Sequence, residues 1–368
     1  MKAVIIGSGF ALAIILGFWP GGLSGAKPAW WRFTVGVSMV VLVLLAFGVP
    51  TGGTFADAAR VGMGRGDTAI VPVRGIVADR SEIAGGFFTL RDRMGKEERI
   101  RIAGNGVDTD ELSEDRDVIL SMNFDHAGKY FVAHRLVSTD PIITLPLIPG
   151  LEERARNIYF HVPTAWLSQV AWFVAFGFAV LYLRKRRPED DLKATSAAAI
   201  GTLFCILAAT TGAVWARFNW GVFWNWDPRQ VSIFIVLVIY GAYFALRSAI
   251  EDEEQRARIS ALYLVLLAAP VLYFMFVMPR MMKGLHPGAS GDVNTGPVLS
   301  PQEDALDPIK QVLFSVSSFS FLMLFFWMLN LAIRTSLAEY RARSRKFSAN
   351  EEWPGGQPAA IDKGVVRL

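Results

Sequence analysis

The sequence predicts an all-α polytopic membrane protein, with about seven transmembrane helices and a small all-β, OB-like domain inserted between two of them. Hydrophobic residues make up 52% of the 368 residues and charged residues only 19%, an apolar share that soluble domains rarely carry. The apolar residues are gathered in runs long enough to cross a bilayer. Residues 68–140 differ, because their composition is charged and their apolar runs are short.

Seven apolar runs supply the candidate spans, because a helix needs about 20 mostly apolar residues to cross roughly 30 Å of hydrocarbon. They lie at residues 3–19, 33–50, 162–183, 195–215, 230–249, 259–279 and 311–334. The first run is short and follows Lys2, so a signal segment is its alternative interpretation. We favour a true span, which makes residues 1–50 two transmembrane helices.

Residues 68–140 predict a small β-barrel, since five β-branched or aromatic runs are separated by Gly and Asp turns. The runs are residues 69–73, 86–90, 99–102, 118–122 and 130–133. Residues 125–129 predict a hairpin turn before the last strand. Five strands within about 70 residues favour an OB-like fold. A proline-bearing linker at 141–156 would join this barrel to a transmembrane domain at 157–340.

The basic residues predict the orientation, because positively charged loops stay on the cytoplasmic side. They cluster after spans three, five and seven, at residues 184–187, at Arg247, Arg256 and Arg258, and at Arg341, Arg343, Arg345 and Lys346. In a bacterial inner membrane, the barrel and the loops 51–161, 216–229 and 280–310 would face the periplasm, and residues 341–368 would form a cytoplasmic tail. The net charge is only +4 and the sequence has no long basic stripe, so nucleic acid is not an expected partner.

The predicted outer face carries two histidines and a tryptophan loop, residues 215–229. His161 stands at the mouth of span three, His286 follows span six, and the loop between them has four tryptophans within twelve residues. An interfacial aromatic belt explains the tryptophans alone, and a hydrogen-bonded interfacial residue explains either histidine alone. Together they indicate a flat ligand, since two neutral imidazoles can bind iron from opposite sides and indoles can stack on a porphyrin.

The candidate site therefore holds haem b, non-covalently and transiently, with His161 and His286 as ligands of the haem iron. The surrounding candidates in the tryptophan loop are Arg217, Trp220, Gly221, Trp224, Trp226, Asp227 and Arg229. Arginines of the loop, or Lys283, would pair with the propionates. Asp227 would fix the loop or accept a hydrogen bond from an indole.

The remaining histidines and the single cysteine have other interpretations. His126 is predicted to be a turn residue of the barrel and His134 a surface strand residue. Cys205 lies alone within an apolar run, which excludes an internal disulfide, a CxxC redox motif and a CxxCH attachment motif.

Three motifs, in order along the chain, resemble those of the CcmC family of cytochrome c maturation proteins. Residues 156–166 (RNIYFHVPTAW) resemble its first histidine motif, and residues 285–288 (LHPG) its second. Residues 220–229 (WGVFWNWDPR) resemble the tryptophan-rich WWD signature of haem-handling proteins, and residues 211–215 fit the approach to it. The resemblance covers about residues 155–335.

The resemblance implies that His161 and His286 bind haem axially on the periplasmic surface, with the tryptophan loop as platform. It also implies that haem is passed to a periplasmic chaperone, CcmE, with the help of an ABC-type complex resembling CcmA and CcmB and a small membrane partner resembling CcmD. The other contacts are membrane lipids. Such a protein presents haem and needs no nucleophile or general base, so we expect a delivery protein rather than an enzyme.

The chain departs from this family by an extra first span and by the inserted barrel. The barrel loosely resembles the OB fold of the CcmE chaperone, whose covalent haem histidine follows the last strand in a His-x-x-x-Tyr motif. Residues 138–141 contain no histidine, and His126 and Tyr130 have the right spacing but fall at a hairpin turn. We therefore expect the barrel to dock the chaperone or to shield the haem, not to bind haem covalently.

Three other functions stay open at this stage. A cytochrome c synthase resembling CcsA would attach haem directly, and the sequence of residues 225–228 (NWDP) slightly favours this alternative. Such synthases usually have a further histidine pair within the membrane, for which this chain has no candidates. A b-type electron-transfer cytochrome would carry paired histidines inside the bilayer. A plain transporter would carry charged residues at mid-membrane.

Overall fold

The computed structural model describes residues 2–48, 53–65, 70–141, 156–286, 290 and 308–350. The predicted linker at 141–156 lies outside these residues apart from its two ends, and so does the predicted tail beyond residue 350. Residues 341–350, the start of that tail, continue the last helix.

The described residues are mostly helical, as predicted. In chain order the helices are α1 (Lys2–Phe18), α2 (Ala29–Gly48), α3 (Phe55–Arg65), α4 (Ile158–Lys185), α5 (Pro188–Trp220), α6 (Pro228–Ala249), α7 (Glu253–Leu272), α8 (Met278–Met281) and α9 (Pro308–Asn350). A π-helical turn, Tyr273–Val277, joins α7 to α8. Among the described residues, six helices are long and apolar enough to cross a membrane: α2, α4, α5, α6, the joined α7–α8 helix and α9.

The first predicted span, α1, is apolar but only 17 residues long. It packs closely on α9, because glycines face that helix. A Cβ at Gly9 would overlap the carbonyl oxygen of Ser315, and one at Gly17 would overlap the Phe326 ring. The turn after α1 is fixed as well, since the amide of Asn330 on α9 donates to the carbonyl of Leu23 at 2.8 Å. Helix α1 is thus part of the helical bundle.

Replacing Gly9 by leucine is expected to destabilise the bundle, because the new side chain must push α1 away from α9. Overpacking of this kind costs about 1–3 kcal/mol. Thermal unfolding of the full chain in detergent measures the loss. Gly7→Leu is the matched control, since it lies on the same helix with open space around its Cβ position. Equal melting temperatures for the two variants would contradict the packing of α1 on α9.

The five predicted strands of the inserted domain are all present. They are β1 (Val71–Asp79), β2 (Phe87–Asp92), β3 (Glu97–Ile102), β4 (Asp117–Asp125) and β5 (Tyr130–Thr139), and they form a closed barrel in the order β1-β2-β3-β5-β4. All pairs are antiparallel except β3 with β5. The predicted hairpin turn falls between β4 and β5, with His126 in the turn and His134 on β5.

Helix α3 belongs to the barrel and was not predicted. Its Phe55 and Ala58 are buried in the barrel core, and the Phe55 ring lies 4.8 Å from that of Phe131 on β5. The carboxylate of Asp92, buried at the end of β2, accepts from the backbone N–H of Phe55 at 3.2 Å. One short helix therefore covers apolar residues that the barrel would otherwise expose.

One end of the helical bundle, here called the charged end, gathers the predicted basic clusters. Arg247 near the end of α6 forms a bidentate ion pair with Asp191 in the first turn of α5, at 2.8 and 2.5 Å. Arg341 on α9 lies 3.7 Å from Glu189, also in the first turn of α5. The clusters after spans three, five and seven therefore lie on one side of the apolar helices, as predicted.

The opposite end, here called the histidine end, carries the start of α4, the start of α6 and the end of α8. Arg156, just before α4, donates to the carbonyl oxygen of Ala46 near the end of α2. Helices α2 and α4 thus meet at this end, and the barrel, which lies between them in sequence, is connected to it. The chain is a multi-pass membrane protein.

Candidate functional site

A cleft at the histidine end lies between α4, α5 and α6. Its empty space is about 630 Å³ when the open mouth is counted. Its lining residues are His161, Ala208, Ala209, Gly212, Ala213, Trp215, Trp220, Trp224, Arg229, Gln230, Ile233, Phe234, Leu237 and His286. The two histidines predicted as iron ligands, far apart along the chain, therefore line one cleft.

His161 lies in the first turn of α4, whose position is fixed by the neighbouring helices. Pro163 has no N–H to donate to the carbonyl of Tyr159 four residues earlier. Ser317 of α9 supplies the missing hydrogen bond by donating its hydroxyl to that carbonyl. On the other side, the amide of Asn157 donates to the carbonyl of Thr211 on α5 at 2.8 Å. The first turn of α4 is thus bonded to both α9 and α5.

The His161 ring packs directly on α5. Its Nδ1 lies 3.1 Å from the hydroxyl oxygen of Thr211. A Cβ at Gly212 would lie 2.9 Å from the ring's Cε1, which is closer than ordinary side-chain contact. Glycine at this position is therefore what allows the imidazole to approach the backbone of α5.

The predicted tryptophan loop is partly helical. Helix α5 continues to Trp220, beyond the predicted span end at residue 215, so Trp215 and Arg217 are helical residues. Gly221 ends the helix with φ +81°, a conformation that favours glycine, and its N–H donates to the carbonyl of Arg217 at 3.1 Å.

Arg217, a predicted propionate partner, is engaged within its own turn. Its guanidinium donates to the carbonyl of Gly221 and lies 5.9 Å from the centre of the Phe223 ring. It does not belong to the cleft lining, and neither does Gly221. Both residues shape the end of α5, and the loop beyond it starts from that turn.

The indoles divide between the cleft and its rim. Trp220 and Trp224 line the cleft, whereas Trp226 does not and is 74% exposed. Trp224 packs edge-on against Trp226, with ring centres 5.6 Å apart, and against Phe234 of α6 at 6.3 Å. The three aromatic rings form a continuous surface from the cleft wall to its exposed rim.

Asp227 connects the tryptophan loop to the segment that carries His286. One carboxylate oxygen accepts from the N–H of Arg229 at 2.9 Å, which caps α6. The other accepts from the N–H of Leu285 at 2.7 Å. A Cβ at Gly284 would lie 2.7 Å from that same oxygen. Asp227 is buried and outside the cleft lining, so it fixes the loop as predicted but bonds backbone rather than an indole.

Arg229 is the predicted cationic partner that does line the cleft. Its Nε is buried, and no hydrogen-bond acceptor for it exists among the described residues. A buried guanidinium nitrogen without an acceptor favours a negatively charged group nearby. Two imidazoles, three indoles and this buried donor fit the chemistry of a haem that carries propionates.

Several lining residues were not named as haem contacts from the sequence, although Trp215 belongs to the predicted tryptophan loop. Gln230 accepts from the N–H of Asn225 at 3.1 Å and donates to the carbonyl of Phe223 at 3.1 Å, so it braces the loop. Trp215 and Phe234 complete the aromatic wall. Each of these residues lies one helical turn from another lining residue on α5 or α6, and this spacing was the sequence signal that could have identified them.

A family model matches the part of the chain that carries the cleft. The family model described as heme exporter protein C matches residues 150–348, more than half of the chain. The matched segment contains α4 to α8, α9 as far as residue 348, and both His161 and His286. Residues 1–149, with α1, α2 and the barrel, lie outside it.

Curated relatives agree with the family model. Heme exporter protein C of Bradyrhizobium diazoefficiens is 33% identical over 189 residues, which are 51% of this chain and 69% of the relative. The Rhodobacter capsulatus protein is 31% identical over 208 residues, 56% of this chain and 81% of the relative. The Escherichia coli K12 protein is 28% identical over 169 residues, 46% of this chain and 64% of the relative. By its matched segment and these relatives, the chain belongs to the heme exporter protein C family.

Proposed function

We propose that this protein binds haem at the histidine end and delivers it to a periplasmic haem chaperone during cytochrome c maturation. The observation that carries the proposal is the convergence of His161 and His286 on one cleft that Trp220 and Trp224 also line. The relatives' shared name, heme exporter protein C, points in the same direction.

In this proposal different lining residues contact different parts of the haem. His161 and His286 bind the iron through neutral imidazoles. Trp220 and Trp224 pack on the apolar macrocycle, and Arg229 donates to a propionate. Haem b held in this way has no covalent bond to the protein.

The remaining candidates act on the shape of the site. Asp227 holds the His286 segment against the tryptophan loop, and Gly221 with Arg217 forms the turn that starts the loop. Trp226 extends the aromatic surface to the exposed rim, where an incoming chaperone has access to it. Arg217 is not assigned a propionate, since its guanidinium is bonded to the Gly221 carbonyl.

Haem is cargo for this protein, not a resident cofactor. Bonds between iron and imidazole are reversible, so the cargo moves when an acceptor binds it more tightly than the cleft does. The chain contributes ligation, an apolar cover and a charged partner. No nucleophile or general base is needed for this transfer.

We propose the bacterial inner membrane as location, with the histidine end and the barrel in the periplasm. The support is the separation of the two ends, because the arginine clusters lie at the charged end and positive loops stay cytoplasmic. The partners would be the CcmE-like chaperone, an ABC-type complex like CcmA and CcmB, and a small CcmD-like membrane protein.

The barrel, which we take as a periplasmic domain of OB type spanning about residues 68–140, is proposed to dock the chaperone or shield the haem. Its closed five-stranded order, with the parallel pair β3–β5, supports that assignment. Its His126 lies in the β4–β5 turn, with its ring packed edge-on against Phe124 at 4.9 Å. His126 is exposed and precedes the last strand instead of following it, so we propose that the barrel does not bind haem covalently.

A transfer experiment tests delivery against the synthase alternative. The full chain, reconstituted in lipid vesicles and loaded with haem, is mixed with a purified CcmE-like chaperone or with an apocytochrome bearing a CxxCH motif. We expect haem to move to the chaperone and no thioether-linked haem to form on the apocytochrome. Covalent attachment of haem to the apocytochrome without the chaperone would contradict delivery and support the synthase alternative. Retention of haem in the presence of the chaperone, with no haem attached to the apocytochrome in the other mixture, would contradict both.

A further inference from the structure

We infer that Thr211 is a positioning residue for His161, because its hydroxyl fixes which nitrogen of the imidazole carries the proton. The inference rests on the proposed function, in which His161 binds the haem iron. It assigns a role to a residue that touches the ligand histidine and does not line the cleft.

The Thr211 hydroxyl has a single proton to donate. The oxygen lies 2.8 Å from the carbonyl of Leu207 and 3.2 Å from that of Ala208, both one turn earlier on α5. Threonine in a helix commonly donates to such a carbonyl. Because either acceptor takes the only proton, the hydroxyl oxygen has just its lone pairs left for other partners.

The His161 Nδ1 lies 3.1 Å from that oxygen. With its proton given to one of these carbonyls, the oxygen accepts from the ring, so we assign Nδ1 as the nitrogen that donates. A neutral imidazole carries one N–H, so its other nitrogen, Nε2, keeps the lone pair. Nε2 is then the atom available to bind iron, and the second-nitrogen hydrogen bond has the form that orients metal-bound histidines generally.

The packing around the ring supports the same role. Gly212 lets the imidazole lie against α5, and any Cβ there would come within 2.9 Å of Cε1. The ring therefore stays beside the hydroxyl. A neutral hydroxyl is a weaker acceptor than the carboxylate often found behind a metal-bound histidine. A weaker hydrogen bond to His161 suits a site that must release its haem.

The test compares Thr211→Val with Thr211→Ser in the full chain purified in detergent. Thr211→Val keeps the shape but removes the acceptor, and we expect haem, added as hemin, to bind about tenfold more weakly. We also expect a more positive reduction potential, because the Nδ1 hydrogen bond makes the imidazole a better donor to ferric iron. Thr211→Ser retains the hydroxyl and should restore affinity and potential. Thr210→Val is the control, since its hydroxyl is exposed and donates to the carbonyl of Ile206.

The outcomes separate this inference from the proposed function. If His161→Ala loses haem but Thr211→Val keeps its haem affinity and reduction potential, the positioning role is wrong. The role is also wrong if Thr211→Ser does not restore the affinity and potential lost in Thr211→Val. An equal change in Thr210→Val would also overturn it, because the effect would then belong to α5 in general. If His161→Ala binds haem like the unmodified chain, the ligand assignment itself is wrong and the role of Thr211 falls with it.

Discussion

Hemin titrated into the His161→Ala or His286→Ala variant is expected to bind far more weakly than to the unmodified chain, with a high-spin or mixed spectrum. Each substitution removes one of the two proposed bonds to iron. Loss of only a hydrogen-bond partner behind a metal ligand lowers affinity by about 10- to 100-fold, so loss of the ligand should exceed that. The double variant should retain no spectroscopically defined haem.

Two other histidines provide matched controls for this prediction. His126 lies in the β4–β5 turn of the barrel, against Phe124. His134 on β5 is bonded through Nε2 to the side chain of Asn123 at 2.6 Å. Neither histidine lines the cleft, so His126→Ala and His134→Ala should keep the low-spin spectrum and the affinity of the unmodified chain.

The spectrum distinguishes a lost ligand from a lost fold. A variant that folds but lacks one imidazole should elute normally from size exclusion and still show weak five-coordinate haem, which added imidazole converts to low spin. A low-spin spectrum in both His161→Ala and His286→Ala, at unchanged affinity, would remove the two residues from the iron. Loss of haem from His126→Ala alone would move the site to the barrel.

The apolar spans were predictable because the bilayer imposes a length and a composition that sequence displays directly. The run at 230–249 differs from α6, Pro228–Ala249, by two residues. The barrel strands were predictable for a related reason, since alternation and Gly or Asp turns mark them. The run at 118–122 lies within β4, Asp117–Asp125, and its ends differ because pairing with β1 and β5 extends it.

Other elements depend on tertiary contacts that a local sequence pattern does not predict. Helix α3 is short and contains Gly62 and Gly64, which lower helix propensity, and its stability comes from burying Phe55 and Ala58 in the barrel core. The end of α5 was placed too early because the apolar run stops before the helix does. Gly221, in the left-handed conformation, was the available end signal.

For the site, topology predicted which residues share a face but not how they touch. Histidines after an even number of crossings return to one side of the membrane, so the convergence of His161 and His286 followed from counting spans. The bond of Asp227 to Leu285 and that of Thr211 to His161 depend on how far each helix extends and how it is rotated. Neither quantity can be read from a single sequence.

Asp227→Ala is also expected to lower haem affinity strongly, although Asp227 does not line the cleft. The substitution removes the cap of α6, worth about 0.5–2 kcal/mol. It also removes a hydrogen bond from the Leu285 N–H to a charged acceptor, worth about 1.5–3 kcal/mol. The second loss frees the segment that holds His286. We expect roughly tenfold weaker binding of hemin, in line with removal of a group that orients a metal ligand, and a growing high-spin fraction.

Two further variants separate these two effects. Asp252 caps α7 at the charged end by accepting from the N–H of Gln255 at 2.7 Å, so Asp252→Ala loses a comparable cap and should keep its haem affinity. Asp227→Asn still offers a cap and one neutral acceptor, and its haem affinity should fall between that of the unmodified chain and that of Asp227→Ala.

Equal haem affinities for Asp227→Ala and the unmodified chain would mean that His286 is held without this carboxylate. If Asp252→Ala loses as much haem as Asp227→Ala, the effect is one of general stability. A loss confined to Asp227 variants makes one buried carboxylate the connection between the tryptophan loop and the second histidine.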